Sequence, residues 1–462
     1  MSDGAVERRD AGRRARKDVP RRALAEVAER TAADDPVARL LGQDRGRVPA
    51  LVPLRYRRMS ADPFAFLRGA PLLMTDDLVR GESTSLEVQI AGDAHGANFG
   101  VFSSPERRLV FDVNDFDETD TGPFEWDVKR LATSLVIAAD LAGNGPAAQS
   151  ALAEDVATAY QRSVAQFARS RRIEAWYATL DVESVLRDLR CYFTDSAARA
   201  VGDVLRRARS RDAKAFAEMV TAADGGPRIR LDPPHVTAIG ATADASILTL
   251  EDLRAVLDGY RDSLSDDRRT LLEQFTFLDA AHLVRGVGSV GTQCFAVLLQ
   301  GRDADDLLVL QVKEAQRTVL DLARGSLDER EPGERVVAGQ RLMQVTPDDL
   351  LGWSSVRPRG ARATDGPAKS FYVRQLYDQR ASVDLGRLDA TQLRAYGRAC
   401  AWVLARAHSR SGLAAEIAGF VGRGRPFAAA IGEFASAYRE RNLGDFRAFT
   451  AAIAEGRVPV GE

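Results

Sequence analysis

Two short polar segments carry the side chains that are best suited to chemistry. Asp93 and Asn98 lie in GDAHGANFG with the spacing D-x-x-x-x-N, and Asp115 and Asp117 follow in NDFDE. Phosphoryl transfer needs a carboxylate that accepts the proton of the attacking hydroxyl, and oxygen ligands that hold Mg²⁺ on the phosphates. The pattern therefore predicts Asp93 as a catalytic base and Asn98, Asp115 and Asp117 as magnesium ligands.

The same residues are open to other interpretations, because D-x-x-x-x-N occurs by chance in most proteins of this length. DVNDFDETD can also be an acidic turn or a structural calcium loop. Asp112 is another carboxylate in reach, although strand alternation would place it inside a hairpin. That hairpin is predicted because SLEVQI alternates apolar residues, SSPER is typical of a turn and RLVFDVNDF of a returning strand. Which of Asp112, Asp115 and Asp117 binds a metal stays open.

A glycine-rich segment forms the second constellation. RGVGSVG contains Gly286, Gly288, Ser289 and Gly291, and Lys313 follows in LVLQVKEA. Glycines let a backbone loop close over phosphates without Cβ clashes, and a lysine on the next strand can bind the α- and β-phosphates. A dinucleotide site would need a helix directly after the glycines, whereas strand-like TQCFAVLL follows. A plain hairpin with a solvated lysine is the alternative.

Two further side chains complete the expected site. A nucleotide-binding lysine is commonly held by a glutamate on a following helix, and Glu334 in PGERVVAGQRLMQ is the candidate, with Glu331 behind it. Either carboxylate could instead be solvated near the helix N-terminus, where the helix dipole favours it. His95 lies among carboxylates, but the four histidines form no zinc motif, so we expect His95 to orient the catalytic loop.

Composition argues against several classes of function. Lysine plus arginine (64) nearly balance aspartate plus glutamate (66), which argues against nucleic-acid and membrane partners. Three cysteines without a CxxC pair favour a cytoplasmic location. No apolar run reaches membrane-spanning length, and the basic N-terminus lacks the apolar segment of a secretory signal. We expect this N-terminus to be a solvated, poorly ordered tail, with a nucleic-acid-binding arm as the alternative.

Apolar periodicity places these motifs on helices and strands. Residues 180–220 are predicted to be helical and 222–248 to form a long loop. Further helices are predicted at Gly333–Gln344, Ala390–Ser409 and Pro426–Thr450, and strands around Lys313, at Leu350–Trp353 and at Phe371–Leu376. This order of helical, β-rich and helical segments predicts an α+β fold. We divide the chain into a basic arm with a short helix (1–45), a catalytic-loop and helical lobe (46–275), a β-rich nucleotide-binding lobe with a hinge (276–380) and C-terminal helices that pack on the helical lobe (381–462).

The longer motifs resemble a known bacterial family. RYRRM, DPFAFLRG, GDAHGANFG, VFDVNDFDETDTGPFEWDVKRLATSL, RGVGSVGTQCF, LQVKEA and LARAHSRSG together are similar to the family called domain of unknown function 2252. The resemblance extends from about residue 20 to 450. That family has no firmly assigned activity, so the resemblance implies kinship rather than a function.

GDAHGANFG and NDFDE also resemble the H-G-D-x-x-x-x-N and I-D-F-D signatures of aminoglycoside and choline phosphotransferases. The resemblance implies that Asp93 is the catalytic base, that Asn98 and Asp115 bind Mg²⁺, and that Asp127 in EWDVKRLA braces the catalytic loop. The chain departs from that pattern at Ala91, where those kinases have a histidine, and His95 is the candidate to replace it.

The order of the motifs is a second departure from the kinase pattern. In those kinases the glycine-rich loop and the lysine precede the catalytic loop, whereas here they follow it. The resemblance therefore implies a protein-kinase-like two-lobe fold that is circularly permuted, with a large helical lobe and a smaller β-rich nucleotide lobe. Permutation is tolerated when chain termini lie at the surface. The helix that ends near His408 is then expected beside the strand that enters Gly92.

These observations lead to one expected function and three alternatives. The expected function is an ATP- and Mg²⁺-dependent phosphotransferase that acts on a small-molecule or protein hydroxyl. The alternatives are a nucleotidyl transferase, a metal-dependent phosphohydrolase built on the acidic cluster, and a catalytically silent nucleotide-binding scaffold. The acceptor cannot be predicted, because acceptor pockets are built from loops without a transferable code.

Overall fold

The computed structural model of the protein describes residues 3–31, 33–106, 108–180, 218–223, 226–240, 247–284, 286–288, 290–326, 329–358, 368–376 and 381–461. The helices in these ranges are α1 (Asp3–Asp18), α2 (Pro36–Gln43), α3 (Val52–Met59), α4 (Pro63–Gly69), α5 (Pro71–Arg80), α6 (Phe124–Leu141), α7 (Pro146–Phe167), α8 (Arg172–Tyr177), α9 (Leu250–Asp262), α10 (Asp266–Leu272), α11 (Val319–Arg324), α12 (Pro332–Met343), α13 (Ala390–Arg410), α14 (Ala414–Val421) and α15 (Arg425–Ala454). The strands are β1 (Glu87–Ile90), β2 (Phe99–Ser103), β3 (Leu109–Val113), β4 (Asp120–Pro123), β5 (Val220–Ala223), β6 (Gly226–Ile229), β7 (Val236–Ala238), β8 (Thr276–Leu283), β9 (Cys294–Gln300), β10 (Leu307–Ala315), β11 (Gly352–Val356), β12 (Lys369–Gln375) and β13 (Ala381–Ser382).

A six-stranded antiparallel sheet, in the order β11-β12-β10-β9-β8-β7, forms the β-rich part. Alternation along its strands separates two apolar faces. Phe295, Val297 and Val312 pack with α9, whereas Lys313, the next residue on β10, lies on the opposite face. The strand predicted around Lys313 is therefore confirmed, and Lys313 is paired in register with Tyr372 of β12.

The helical part is built around α6, which packs against α7, α13 and α15. Sixteen of the eighteen residues of α6 are buried, including charged ones, so this helix crosses the core rather than covering it. A helix buried on all sides must pair its polar groups internally. The helices predicted to begin at Ala390 and Pro426 are confirmed as α13 and α15. The mixture of helices and an antiparallel sheet is the predicted α+β class.

Two small sheets connect the polar motifs. β2 and β3 form the predicted hairpin, and the short strand β13 pairs with β2. β1 does not join that hairpin; it pairs with β4 instead, with Ile90 opposite Asp120. This pairing brings the end of β1, where GDAHGANFG begins, next to the segment that follows NDFDE. The remaining small sheet consists of β5 and β6.

Two sequence predictions are wrong within the described residues. The basic N-terminal segment is not a solvated tail: it forms α1 and packs against α14, and Arg16 Nε donates to the Phe420 carbonyl over 2.8 Å. Arginines that meet the C-terminal carbonyls of a helix are favoured there by the helix dipole. The predicted loop at 222–248 contains β6 and β7, and most of the helical prediction for 180–220 lies outside the described residues.

Within the described ranges, no helix is long and apolar enough to cross a membrane.

Candidate functional site

Predicted residues from both constellations line one cleft of about 920 Å³, whereas Lys313, Gly291 and Glu334 are not part of its lining. Its wall is formed by the segment after β1, the segment after β3, the end of β10 and the glycine-rich segment. The predicted site residues that line it are Asp93, His95, Asn98, Asp115, Asp117, Gly286 and Gly288. Residues that are remote in the sequence thus share a pocket of the size that small ligands use.

Side chains of helix α6 accept hydrogen bonds from the backbone of the GDAHGANFG loop. Asp127 accepts hydrogen bonds from the N–H groups of Ala91 (2.7 Å) and Gly92 (3.1 Å). Ser134, seven residues further along α6, accepts from the Gly96 N–H over 2.9 Å. Residues at steps of three and four lie on one face of a helix, so a single helix face can hold both ends of the loop.

Helix α13 supports the same loop from the other side. His408 Nε2 lies 3.2 Å from the Asp127 carboxylate, and Tyr160 lies 2.9 Å from His408 Nδ1. Tyr396 donates to the Gly96 carbonyl over 2.7 Å. The predicted position of α13 beside the strand that enters Gly92 is therefore confirmed.

The side chain of His95 does not brace the loop. Its Nδ1 is buried without a hydrogen bond, and its Nε2 lies 3.7 Å from Asp93. The imidazole packs edge-on against Phe64, with ring centroids 6.2 Å apart. Burial lowers the pKa of His95 well below its ordinary value, so the ring is neutral. The bracing that was expected of His95 comes from His408, which sequence order alone could not place near the loop.

Asp93 combines a buried carboxylate with a cationic neighbour. Arg130 of α6 donates to Asp93 Oδ1 over 2.8 Å, and Asn98 Nδ2 donates to the Asp93 carbonyl over 2.8 Å. Burial raises the pKa of Asp93 to about 6, although Arg130 opposes that rise. A carboxylate with this pKa is ionised at neutral pH and more basic than an ordinary aspartate, as a proton acceptor needs to be.

Lys313 meets the acidic loop directly. Its ammonium pairs with Asp117 Oδ2, and the Tyr372 hydroxyl donates to Asp117 Oδ1 over 2.9 Å. Burial lowers the pKa of Lys313, but Asp117, Tyr372 and Asp115 raise it by more, so the amine is charged. For Asp115, burial alone would raise the pKa. The positive charges of Lys313 and Arg374 have the larger effect, so the pKa of Asp115 is lowered. Lys313 and the acidic loop are therefore in direct contact, although Lys313 itself is not one of the residues that line the cleft.

The oxygen donors in the cleft fit a magnesium ion that also binds phosphate. Asp117 is engaged by Lys313 and Tyr372, which leaves Asp115 and Asn98 as donors. Asp112 is buried and paired with Arg406 at 2.6 Å. Among the residues that the structure describes, no three His, Cys, Asp or Glu side chains converge as a metal site. Mg²⁺ commonly takes one or two protein carboxylates plus phosphate oxygens, so a closed protein cage is not required.

Arginines from the N-terminal third fix the path of the glycine-rich segment. Arg58 donates to the Gly286 carbonyl over 2.7 Å, and Arg47 donates to the Gly288 carbonyl over 2.8 Å. Gly291 has a φ of +94°, and a Cβ there would lie 2.9 Å from the Arg47 side chain, so glycine is needed. Ser289 lies outside the described residues.

Helix α12 contributes Arg335 rather than Glu334 to the acidic loop. Arg335 donates to the carbonyls of Asp117 (2.9 Å), Gln316 (3.0 Å) and Thr119. Glu334 is half-buried and forms no ion pair with Lys313. Successive helical residues point about 100° apart, so the helix face that presents Arg335 to the loop turns Glu334 away. Glu331 instead accepts from Ser355 over 2.8 Å.

Sequence reasoning missed several residues that shape the cleft, namely Arg68, Arg130, Tyr372 and Arg335. The three-and-four spacing of Asp127, Arg130 and Ser134 was a usable signal, because polar residues on one face of a mostly apolar helix need polar partners. The other missed residues act across distant elements and had no local signal.

Comparison with known proteins identifies a family but no characterised relative. No curated protein and no solved structure matches this chain. A family model described as an uncharacterized protein conserved in bacteria (DUF2252) matches residues 47–452. These residues include every residue of the cleft lining except Gly42, Gln43, Arg45 and Gly46, so the motifs that build the site lie within the matched region. The chain belongs to this bacterial family, domain of unknown function 2252.

Proposed function

We propose that this protein is an ATP- and Mg²⁺-dependent phosphotransferase that acts on a hydroxyl group. The observation that carries the proposal is the ion pair of Lys313 with Asp117, a residue that lines the cleft together with Asp93 and Asn98. A lysine for the phosphates, oxygen ligands for the metal and a basic carboxylate are the parts that phosphoryl transfer uses. Their convergence from distant segments supports a nucleotide site over an isolated acidic turn.

Each side chain has a role that its surroundings support. Lys313 would hold the α- and β-phosphates, exchanging part of its contact with Asp117 for phosphate oxygens. Asn98 and Asp115 would hold Mg²⁺, which would neutralise charge that develops on the phosphates. Asp93 would orient the acceptor hydroxyl and accept its proton while the acceptor oxygen bonds to the γ-phosphorus. The bond from the γ-phosphorus to the bridging oxygen breaks, and ADP leaves with the electron pair.

A circularly permuted, kinase-like arrangement of two lobes is part of the proposal. The six-stranded sheet with α12 would be the nucleotide lobe, and α6, α7, α13 and α15 would form the helical lobe. The contact of α13 with the loop that Asp127 holds supports this arrangement, because the helix would replace a covalent link that an unpermuted chain has at this point. A phosphohydrolase built on carboxylates alone receives less support, because it leaves the buried Lys313 without a role.

Nucleotide binding tests the proposal, because a ligand that binds only the folded state must raise its stability. ATP with Mg²⁺ at a hundred times its dissociation constant should stabilise the wild type by about 2.7 kcal/mol. Asp115→Ala should abolish the part of the gain that depends on Mg²⁺. Asp258→Ala, which removes a carboxylate that is 72% exposed on α9, is the control and should keep the full gain. Thermal unfolding with ATP, ADP, AMP and GTP measures this, and a wild type that responds to none of them contradicts the proposal.

A further inference from the structure

Arg68 lies in the cleft, and its side chain has no hydrogen-bond or ion-pair partner in the part of the chain that the structure describes. It belongs to DPFAFLRG, at the end of α4, and its side chain lines the same wall as Asp93 and Asp115. Its Nε is buried without a hydrogen bond, and the side chain forms no hydrogen bond or ion pair with another described residue. Its guanidinium carbon lies 6.0 Å from the centroid of the Phe64 ring.

An unpaired guanidinium in such a place is unfavourable unless a bound ligand supplies negative charge and hydrogen-bond acceptors. Desolvation of a charge is costly, and a buried donor without an acceptor adds to that cost. Burial lowers the pKa of Arg68, whereas Asp93, Asp62 and Asp115 oppose this from beyond ion-pair distance. Asp93 is already neutralised by Arg130, which also donates to the Leu67 carbonyl over 2.7 Å. Arg68 is therefore not needed as the counter-ion of Asp93.

The glycine-rich segment passes directly over the end of α4. A Cβ at Gly288 would lie 3.1 Å from the Arg68 carbonyl, so the two backbones are in close contact. A phosphate chain beneath this segment would run between Lys313, which pairs with Asp117, and Arg68, which lines the cleft with Asp93 and Asp115. In this arrangement the two cations would bind different parts of the phosphate chain.

We infer that Arg68 binds the terminal phosphoryl group of the nucleotide, the group that is transferred, whereas Lys313 binds the phosphates nearer the nucleoside. This inference rests on the proposed function. The guanidinium would lie beside the proposed base and metal ligand, where negative charge on the transferred group is greatest. A planar guanidinium donates two parallel hydrogen bonds to a phosphate, which suits it to this position.

Arg68→Met separates this role from a structural one. ATP·Mg²⁺ affinity should fall about 10- to 100-fold, the range for lost hydrogen bonds to a charged group, while ADP·Mg²⁺ affinity should change less than about twofold. Without ligand, the variant should melt at or above the temperature of the wild type, because an unpaired charge is removed. Arg68→Lys should recover part of the ATP affinity. Arg302→Met removes an arginine that is 85% exposed between β9 and β10, outside the cleft, and should change neither affinity.

Isothermal titration with both nucleotides and thermal unfolding without them give the readouts. Equal losses for ATP and ADP, unchanged affinity for both, or a clearly lower melting temperature without ligand would each overturn the assignment of Arg68. A wild type that binds neither nucleotide would overturn the proposed function and this assignment with it. A wild type that binds ATP while Arg68→Met binds it equally well overturns the assignment alone.

Discussion

Asp93→Asn should lower turnover by roughly 10²–10⁴-fold, the usual contribution of a positioned base. ATP·Mg²⁺ affinity should stay nearly intact, because Asp93 faces the acceptor hydroxyl rather than the phosphates or the metal in the proposed mechanism. The asparagine keeps the size of the side chain, and its carbonyl oxygen can still accept from Arg130, which lies 2.8 Å away. It cannot take up the proton of a hydroxyl.

The comparison needs turnover and binding measured on the same samples. Steady-state release of ADP, with and without candidate acceptors, measures turnover. Isothermal titration with ATP·Mg²⁺ measures binding. Thermal unfolding without ligand shows whether the Arg130 contact survives the substitution. If the wild type turns over no faster than Asp93→Asn while both bind ATP, the protein is a silent nucleotide binder and the phosphotransferase proposal is wrong.

Arg335→Ala should have the largest effect on folding stability, roughly 3 kcal/mol or more. The side chain is buried and donates to the carbonyls of Asp117, Gln316 and Thr119, each of which would lose a charged donor. Since two of these carbonyls belong to the acidic loop, the Mg²⁺-dependent part of ATP binding should weaken as well. Denaturant unfolding followed by nucleotide titration of the folded fraction measures both effects.

Glu334→Ala is the matched control, one position away on the same helix. Glu334 is half-buried and does not pair with Lys313, so we expect a change within about 0.5 kcal/mol in the free energy of unfolding. Its ATP affinity should equal that of the wild type. If Glu334→Ala instead weakens ATP binding as much as Lys313→Ala does, the lysine exchanges Asp117 for Glu334 on binding nucleotide, as the sequence motif suggested.

Local sequence patterns predicted the elements that carry the site. The helix predicted at Gly333–Gln344 is α12, Pro332–Met343, because its apolar spacing is helical and Pro332 suits a first turn. The strand around Lys313 is β10, whose Val and Leu residues are typical of buried strands. Residue types and spacing also selected Asp93, Asn98 and Asp115, since the chemistry of phosphate and magnesium restricts which side chains are useful.

Contacts between distant segments could not be predicted in this way. The pairing of β1 with β4 instead of β2, the ion pair of Lys313 with Asp117 and the support of the loop by His408 all depend on tertiary packing. α1 has few apolar residues, so its sequence indicated a tail. Its arginine contacts with the end of α14 and the close approach of the two helix backbones at Gly12 and Gly419 explain its ordered position. Periodicity shows which face of an element is buried but not which element covers it.

Chemical labelling by an acyl-phosphate derivative of ATP tests the central claim most directly, because the reagent acylates a lysine beside the bound phosphates. The chain has only five lysines, at positions 17, 129, 214, 313 and 369, so peptide mass spectrometry can assign every modified site. Lys369 lines the cleft without contacting the acidic loop residue Asp117 and provides an internal comparison. We predict preferential acylation of Lys313 that excess ATP·Mg²⁺ prevents. An unlabelled Lys313, or labelling spread over the other lysines without protection by ATP·Mg²⁺, would contradict the account.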